Sequence, residues 1–118
     1  MPQDSLEQLN NRLLAFARER DWEQFHSPKN LAMALTVEVA EIVEHFQWLT
    51  EQQSRELDSA KRDQVEHELA DALIYLVRLA DQLGIDLLDA AGRKLALNEA
   101  RYPAERVRGS ARKYSEYD

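Results

Sequence analysis

The chain contains no cysteine, which excludes disulfides and thiolate metal sites. Glycine and proline are scarce, three of each in 118 residues, and they sit at the edges of apolar stretches. That scarcity favours long regular elements joined by short connections. No apolar run approaches the roughly 20 residues needed to cross a bilayer. The N-terminal stretch MPQDSLEQLN is polar and lacks the apolar segment of a signal peptide. The expected location is cytoplasmic, with no membrane partner.

Positive charge is also in deficit. The formal net charge is −7, whereas a general binder of polymeric nucleic acid is usually basic. The imbalance is uneven along the chain. Arg101, Arg106, Arg108, Arg112 and Lys113 stand against Glu105 alone between positions 101 and 114. The body is therefore acidic and suited to cations, and the tail is basic and suited to phosphates. The length is that of one domain. The expected organisation is a single all-α domain over 1–104, with a basic tail over 105–118 that is mobile or ordered by a ligand or partner.

Four helical segments are expected. Leu6, Leu9, Leu13 and Phe16 recur at the period of one helix face between Ser5 and Arg20. Residues 21–26 break the pattern as an aromatic loop. Ser27-Pro28 reads as an N-cap followed by proline in the first turn of a second helix running to about Trp48. Residues 49–60 hold no apolar period and read as a loop or frayed extension. A third helix from about Lys61 to Leu83 carries so many apolar residues, Val65 to Leu83, that most of it is expected to be buried. Gly84 follows as a helix terminator. A fourth helix runs from Asp86 to about Arg101, before Pro103. Four such helices with short links predict a four-helix bundle-like fold.

Helix 2 contains Glu38-Val39-Ala40-Glu41, and helix 3 contains Glu68-Leu69-Ala70-Asp71. Residues three apart lie on one helix face. A single pair of this kind is usually a solvated surface. Here both pairs are embedded in apolar sequence, so antiparallel packing would point four carboxylates into one cleft. Desolvated like charges repel, and a divalent cation resolves the conflict. Oxygen-only ligands suit Mg²⁺, with Mn²⁺ as a substitute, and Mg²⁺ commonly takes substrate phosphates as further ligands. A ferritin-like di-iron site is excluded by the lack of paired Glu-x-x-His motifs, since Glu23 to His26 is the sole example.

The two acidic motifs on consecutive long helices resemble those of the MazG-like all-α nucleoside triphosphate pyrophosphohydrolases, most closely the dCTP pyrophosphatase branch. Residues 21–31, DWEQFHSPKNL, resemble the segment entering that family's second helix. Residues 94–114 resemble its C-terminal signature. The resemblance implies cleavage of a nucleoside triphosphate, a dCTP or modified dCTP, between the α- and β-phosphates in nucleotide-pool cleaning. It implies Glu38, Glu41, Glu68 and Asp71 as metal ligands, with Glu38 or Glu41 polarising the attacking water. Trp22 and Trp48 resemble the aromatic residues that enclose the base, and indole faces do stack on bases. His26 and Asn30 could bond the base or sugar, and Tyr75 could pack under the deoxyribose. Lys94, Asn98, Arg108 and Lys113 resemble phosphate contacts. The family also implies a homo-oligomer, dimer or tetramer. The competing reading is a non-catalytic helical oligomerisation or interaction module, motivated by the wide apolar face of helix 3.

Overall fold

A computed structural model describes residues 5–111 as six α-helices and one 3-10 turn, with no strand among those residues. Helix α1 (Leu6–Glu19) opens on a capping box, in which the Ser5 hydroxyl accepts from Gln8 N–H and the Gln8 side chain accepts from Ser5 N–H. The chain then turns through Asp21, whose φ of 54° lies in the left-handed region that Asp tolerates better than most residues. A 3-10 turn over Glu23–Phe25 leads into α2 (Pro28–Phe46), capped by Ser27 with Pro28 in its first turn, as expected.

The segment after α2 differs from its expectation. Residues Glu51–Arg55 form a short helix, α3, started by a second capping box between Thr50 and Gln53. Its local hydrogen bonds, not an apolar face, hold it, which is why hydrophobic periodicity missed it. Helix α4 (Ser59–Gln82) begins on the Asp58 cap and is the longest element. Gly84 follows it at φ 67°, the conformation in which glycine meets no Cβ penalty.

Among the described residues, those up to Ile85 form one compact unit and those from Asp86 form a second. In the first, α2 is the main partner of α4, and α1 also packs on α4. The pairing of α2 with α4 is antiparallel: His45 lies near Lys61 at one end, Glu41 near Glu68 in the middle, and His26, just before α2, near Arg78 at the other. The core is small, comprising Ala17, Leu31, Val65, Val77 and Ala80. The second unit holds α5 (Leu87–Arg101), capped by Asp86, and the single-turn α6 (Ala104–Val107). Arg112 and Lys113 lie outside the described residues.

The expectation that most of the third predicted helix is buried does not hold within one chain. Leu69 is 54% exposed, and Leu73, Leu76 and Leu83 are exposed with it. Its apolar residues span more of the helix circumference than α1 and α2 cover. Leu31, at 1% exposure, is by contrast the largest fully buried side chain. Leu31→Ala is expected to lower unfolding stability by about 2–5 kcal/mol, read from the urea midpoint, because the removed atoms leave a cavity that α2 and α4 cannot fully close.

Candidate metal site and adjoining cleft

Glu38 and Glu41 stand one turn apart on α2, and Glu68 faces them from α4. One carboxylate oxygen from each lies within 4.8 Å of the others. All three side chains are partly buried. One oxygen of Glu38 and one of Glu68 are sealed from solvent without a hydrogen-bond partner. Burial, a carboxyl–carboxyl hydrogen bond with Glu41, and the charges of Glu41 and Asp71 all push the Glu38 carboxyl up. Glu68 is pushed up to about 7, first by its hydrogen bond with Glu41, then by burial and the charges of Glu41, Glu38 and Asp71. Asp71 thus belongs to the same electrostatic group. It is exposed and stands at the edge of a cleft, outside the tight three-oxygen cluster.

This arrangement fits a divalent cation. Two orphaned buried oxygens need a positive partner, and the all-oxygen donor set suits a hard ion. A histidine backs the site: His45 Nε2 lies 4.0 Å from Glu68 Oε1. Lys61 Nζ lies 3.4 Å from His45 Nδ1. Lysine can only donate, so in that contact Nδ1 accepts, and the proton of a neutral ring sits on Nε2, facing Glu68.

Asp71 links the carboxylates to a half-open cleft of about 510 Å³ between α1 and α4, lined also by Leu13, Phe16, Trp22, His26, Tyr75 and Arg78. Its accessible wall is mainly apolar and aromatic, and Arg12, His26, Asp71, Tyr75 and Arg78 supply polar groups around it, a make-up suited to a small molecule. Trp22 is anchored on one side and open on the other. Its backbone N–H donates to Ala17 O at 2.9 Å. Its ring meets Phe16 edge-on at 5.6 Å, while the Arg20 guanidinium covers the Phe16 ring at 3.7 Å. The indole stays 44% exposed and available for stacking. His26 is held below its ordinary pKa, mainly by burial and then by the Arg78 charge, with Glu23 opposing.

The structure therefore gathers Glu38, Glu41, Glu68, Asp71, Trp22, His26 and Tyr75. Asn30 is used differently: its side-chain amide donates to Phe25 O at 3.0 Å and ties down the loop before α2. Trp48, just past α2, is 87% exposed and does not line the cleft. Lys94, Asn98 and Arg108 belong to the second unit, where Lys94 and Arg108 are exposed and Asn98 is partly buried. Lys113 lies outside the described residues. Arg78, Asp81 and Asn10 belong to no motif in the sequence and are joined only in the structure. The available signal was an arginine seven residues, two helical turns, beyond Asp71 in an otherwise apolar run.

An all-helical protein with a partly buried carboxylate cluster beside an aromatic cleft is the class that fold and site define. Residues 33–117 match the MazG-like family. Over 117 residues the chain is 44% identical to dCTP pyrophosphatase 1 of Homo sapiens and to that of Mus musculus, covering 98% of this chain and 69% of each relative. A crystal structure of a pyrophosphatase from Archaeoglobus fulgidus superposes with a TM-score of 0.80 at 38% identity, covering 87% of this chain and 96% of that one. The chain belongs to the MazG-like family.

The raised Glu68 carboxyl has a definite consequence for stability. Its ionisation disfavours the folded state, so its contribution is full below its ordinary value near 4.5 and is lost as pH rises through about 7. Without divalent metal, the thermal midpoint is expected to fall across that window more steeply than in Glu68→Gln. Mg²⁺ at a hundred times its pH 8 Kd should restore about 2.7 kcal/mol at pH 8, and the same concentration should restore less at pH 5. Thermal scans with EDTA or Mg²⁺ across the range check both expectations.

Proposed function

We propose that this protein hydrolyses a deoxynucleoside triphosphate, dCTP or a modified dCTP, to the monophosphate and pyrophosphate, clearing the nucleotide pool of the cytoplasm. The observation that carries the reading is the Glu38–Glu41–Glu68 cluster, joined through Asp71 to a cleft lined by Trp22, His26 and Tyr75. The dCTP pyrophosphatase 1 relatives support the choice of substrate.

Glu38, Glu41, Glu68 and Asp71 would hold Mg²⁺, or Mn²⁺ in its place. When bound, the ion lowers the pKa of water and neutralises charge on the phosphates. The residues divide the remaining work. Glu38 or Glu41 accepts the proton of the water that attacks the α-phosphorus. The bond from that phosphorus to the β-bridging oxygen breaks, and pyrophosphate leaves. Trp22 stacks on the base, Tyr75 packs under the sugar, and His26, with its pKa held down, offers a neutral ring to the nucleoside. Asn30 supports this wall through its bond to Phe25 O. Trp48, Lys94, Asn98, Arg108 and Lys113 are assigned by resemblance to the base and phosphate ends of the substrate. The exposed apolar residues of α2 and α4, among them Val37, Val43, Leu69 and Leu73, support a homo-oligomer, dimer or tetramer. An interaction role for these faces is compatible with catalysis.

Incubation with Mg²⁺ and each common NTP and dNTP, followed by chromatography, is expected to yield dCMP and pyrophosphate from dCTP. Failure to form a monophosphate and pyrophosphate from any triphosphate would sink the enzymatic reading, whereas preference for another base would change only the substrate. Glu41→Gln should stay folded and lose at least about a hundredfold in metal-dependent turnover, the low end for removing a general base.

A further inference from the structure

Arg78 is 2% exposed, yet it lines the cleft. A buried arginine must have its charge balanced and its donors satisfied. The charge is balanced by Asp81, whose Oδ2 accepts from Nη1 at 3.0 Å. Asn10 on α1 holds the other oxygen of Asp81 through Nδ2 at 2.9 Å, fixing the ion pair across the helix pair. Nη2 faces His26 Nδ1 at 3.4 Å. Arginine has no acceptor, so in that contact Nδ1 accepts, and a neutral His26 carries its proton on Nε2. Nε–H remains, sealed from solvent and without a partner among the described residues. A planar cation is thus clamped from one side by Asp81 and Asn10, and each terminal nitrogen keeps one N–H beyond its contact with Asp81 or His26, at the wall of a cleft that Arg12 also lines.

We propose that Arg78 selects the base: its guanidinium donates to the adjacent N3 and O2 acceptors of a cytosine stacked on Trp22. The chemistry discriminates by the sense of the hydrogen bond. Cytosine presents two neighbouring acceptors on that edge, which match a fork of N–H donors. Uracil and thymine carry N3–H there, so two donors would confront one another in a desolvated site, where an unpaired polar group is costly. Asp71 lies two turns earlier on the same face of α4, so one helix carries both the base reader and a carboxylate of the cation site. The assignment rests on the nucleotide reading above and adds the residue that sets base preference.

The test uses binding as well as turnover. With Mg²⁺ present, calorimetric titration of the unaltered protein should show dCMP binding more tightly than dUMP. The 3-deaza analogue of dCMP, with C–H in place of N3 and O2 kept, should bind about 10- to 100-fold more weakly than dCMP, the range for leaving one buried donor without its acceptor. Arg78→Lys keeps a charge opposite Asp81 but loses the planar fork. In that variant the ratio of dCMP to dUMP affinity should fall toward one, and KM for dCTP should rise by more than kcat falls. Equal binding of dCMP and its 3-deaza analogue, or no binding of dCMP, overturns the proposal whatever the variant does, and so does an undiminished preference in folded Arg78→Lys. If the binding preferences hold while dCTP is not hydrolysed, the enzymatic reading fails and the assignment of Arg78 stands.

Discussion

Three carboxylates held within 4.8 Å of one another, with two of their oxygens buried and unpartnered, are the constraint on which the rest of the site depends. Such a cluster opposes folding as soon as it ionises. The chain tolerates it because α2 and α4 are long, well-capped helices whose packing around Leu31, Val65 and Val77 fixes the backbone independently of the charges. A divalent cation would relieve the conflict left inside, so the same repulsion that costs stability would supply affinity for metal. His45, with Nδ1 facing Lys61, stands behind Glu68 with Nε2 turned toward its carboxylate.

Helix α4 connects this constraint to the cleft. Going along it, Glu68 belongs to the cation cluster, Asp71 to both cluster and cleft, Tyr75 and Arg78 to the cleft, and Asp81 to the buried ion pair. On the proposed reading, successive turns of this one element carry the groups assigned to the phosphates, the sugar and the base. Helix α1 closes the cleft with Leu13 and Phe16, and Asn10 locks its far end to Asp81. A helix framework of this kind places groups more reproducibly than loops do. Only Trp22 and His26 come from a connection, and each is restrained there by a backbone bond to Ala17 or a contact with Arg78.

Much of this was legible in the residue order because it is local. Ser27-Pro28, the apolar period of α1 and Gly84 mark helix boundaries through bonds made within a few residues. The short α3 escaped notice because its capping box sits on no apolar face. The i, i+3 carboxylate pairs follow from helical geometry alone, and their apolar setting already argued for a cation. The extent of the apolar face on α4 was legible too, but its burial was not, since burial depends on what packs against it.

The sequence by itself determined an all-helical chain, two i, i+3 carboxylate pairs of a kind that suits a hard cation and, through its resemblance, the MazG-like family. The tertiary structure decided which of these groups meet. It drew Glu38, Glu41 and Glu68 into one cluster, left Asp71 at the mouth of the cleft, set Trp22 but not Trp48 on the cleft wall, and buried Arg78 against Asp81 and Asn10. The reason is the range of the interactions. Periodicity and capping act over a few residues of chain, whereas the pairing of 10 with 81, 26 with 78 and 41 with 68 is set by how three helix faces pack.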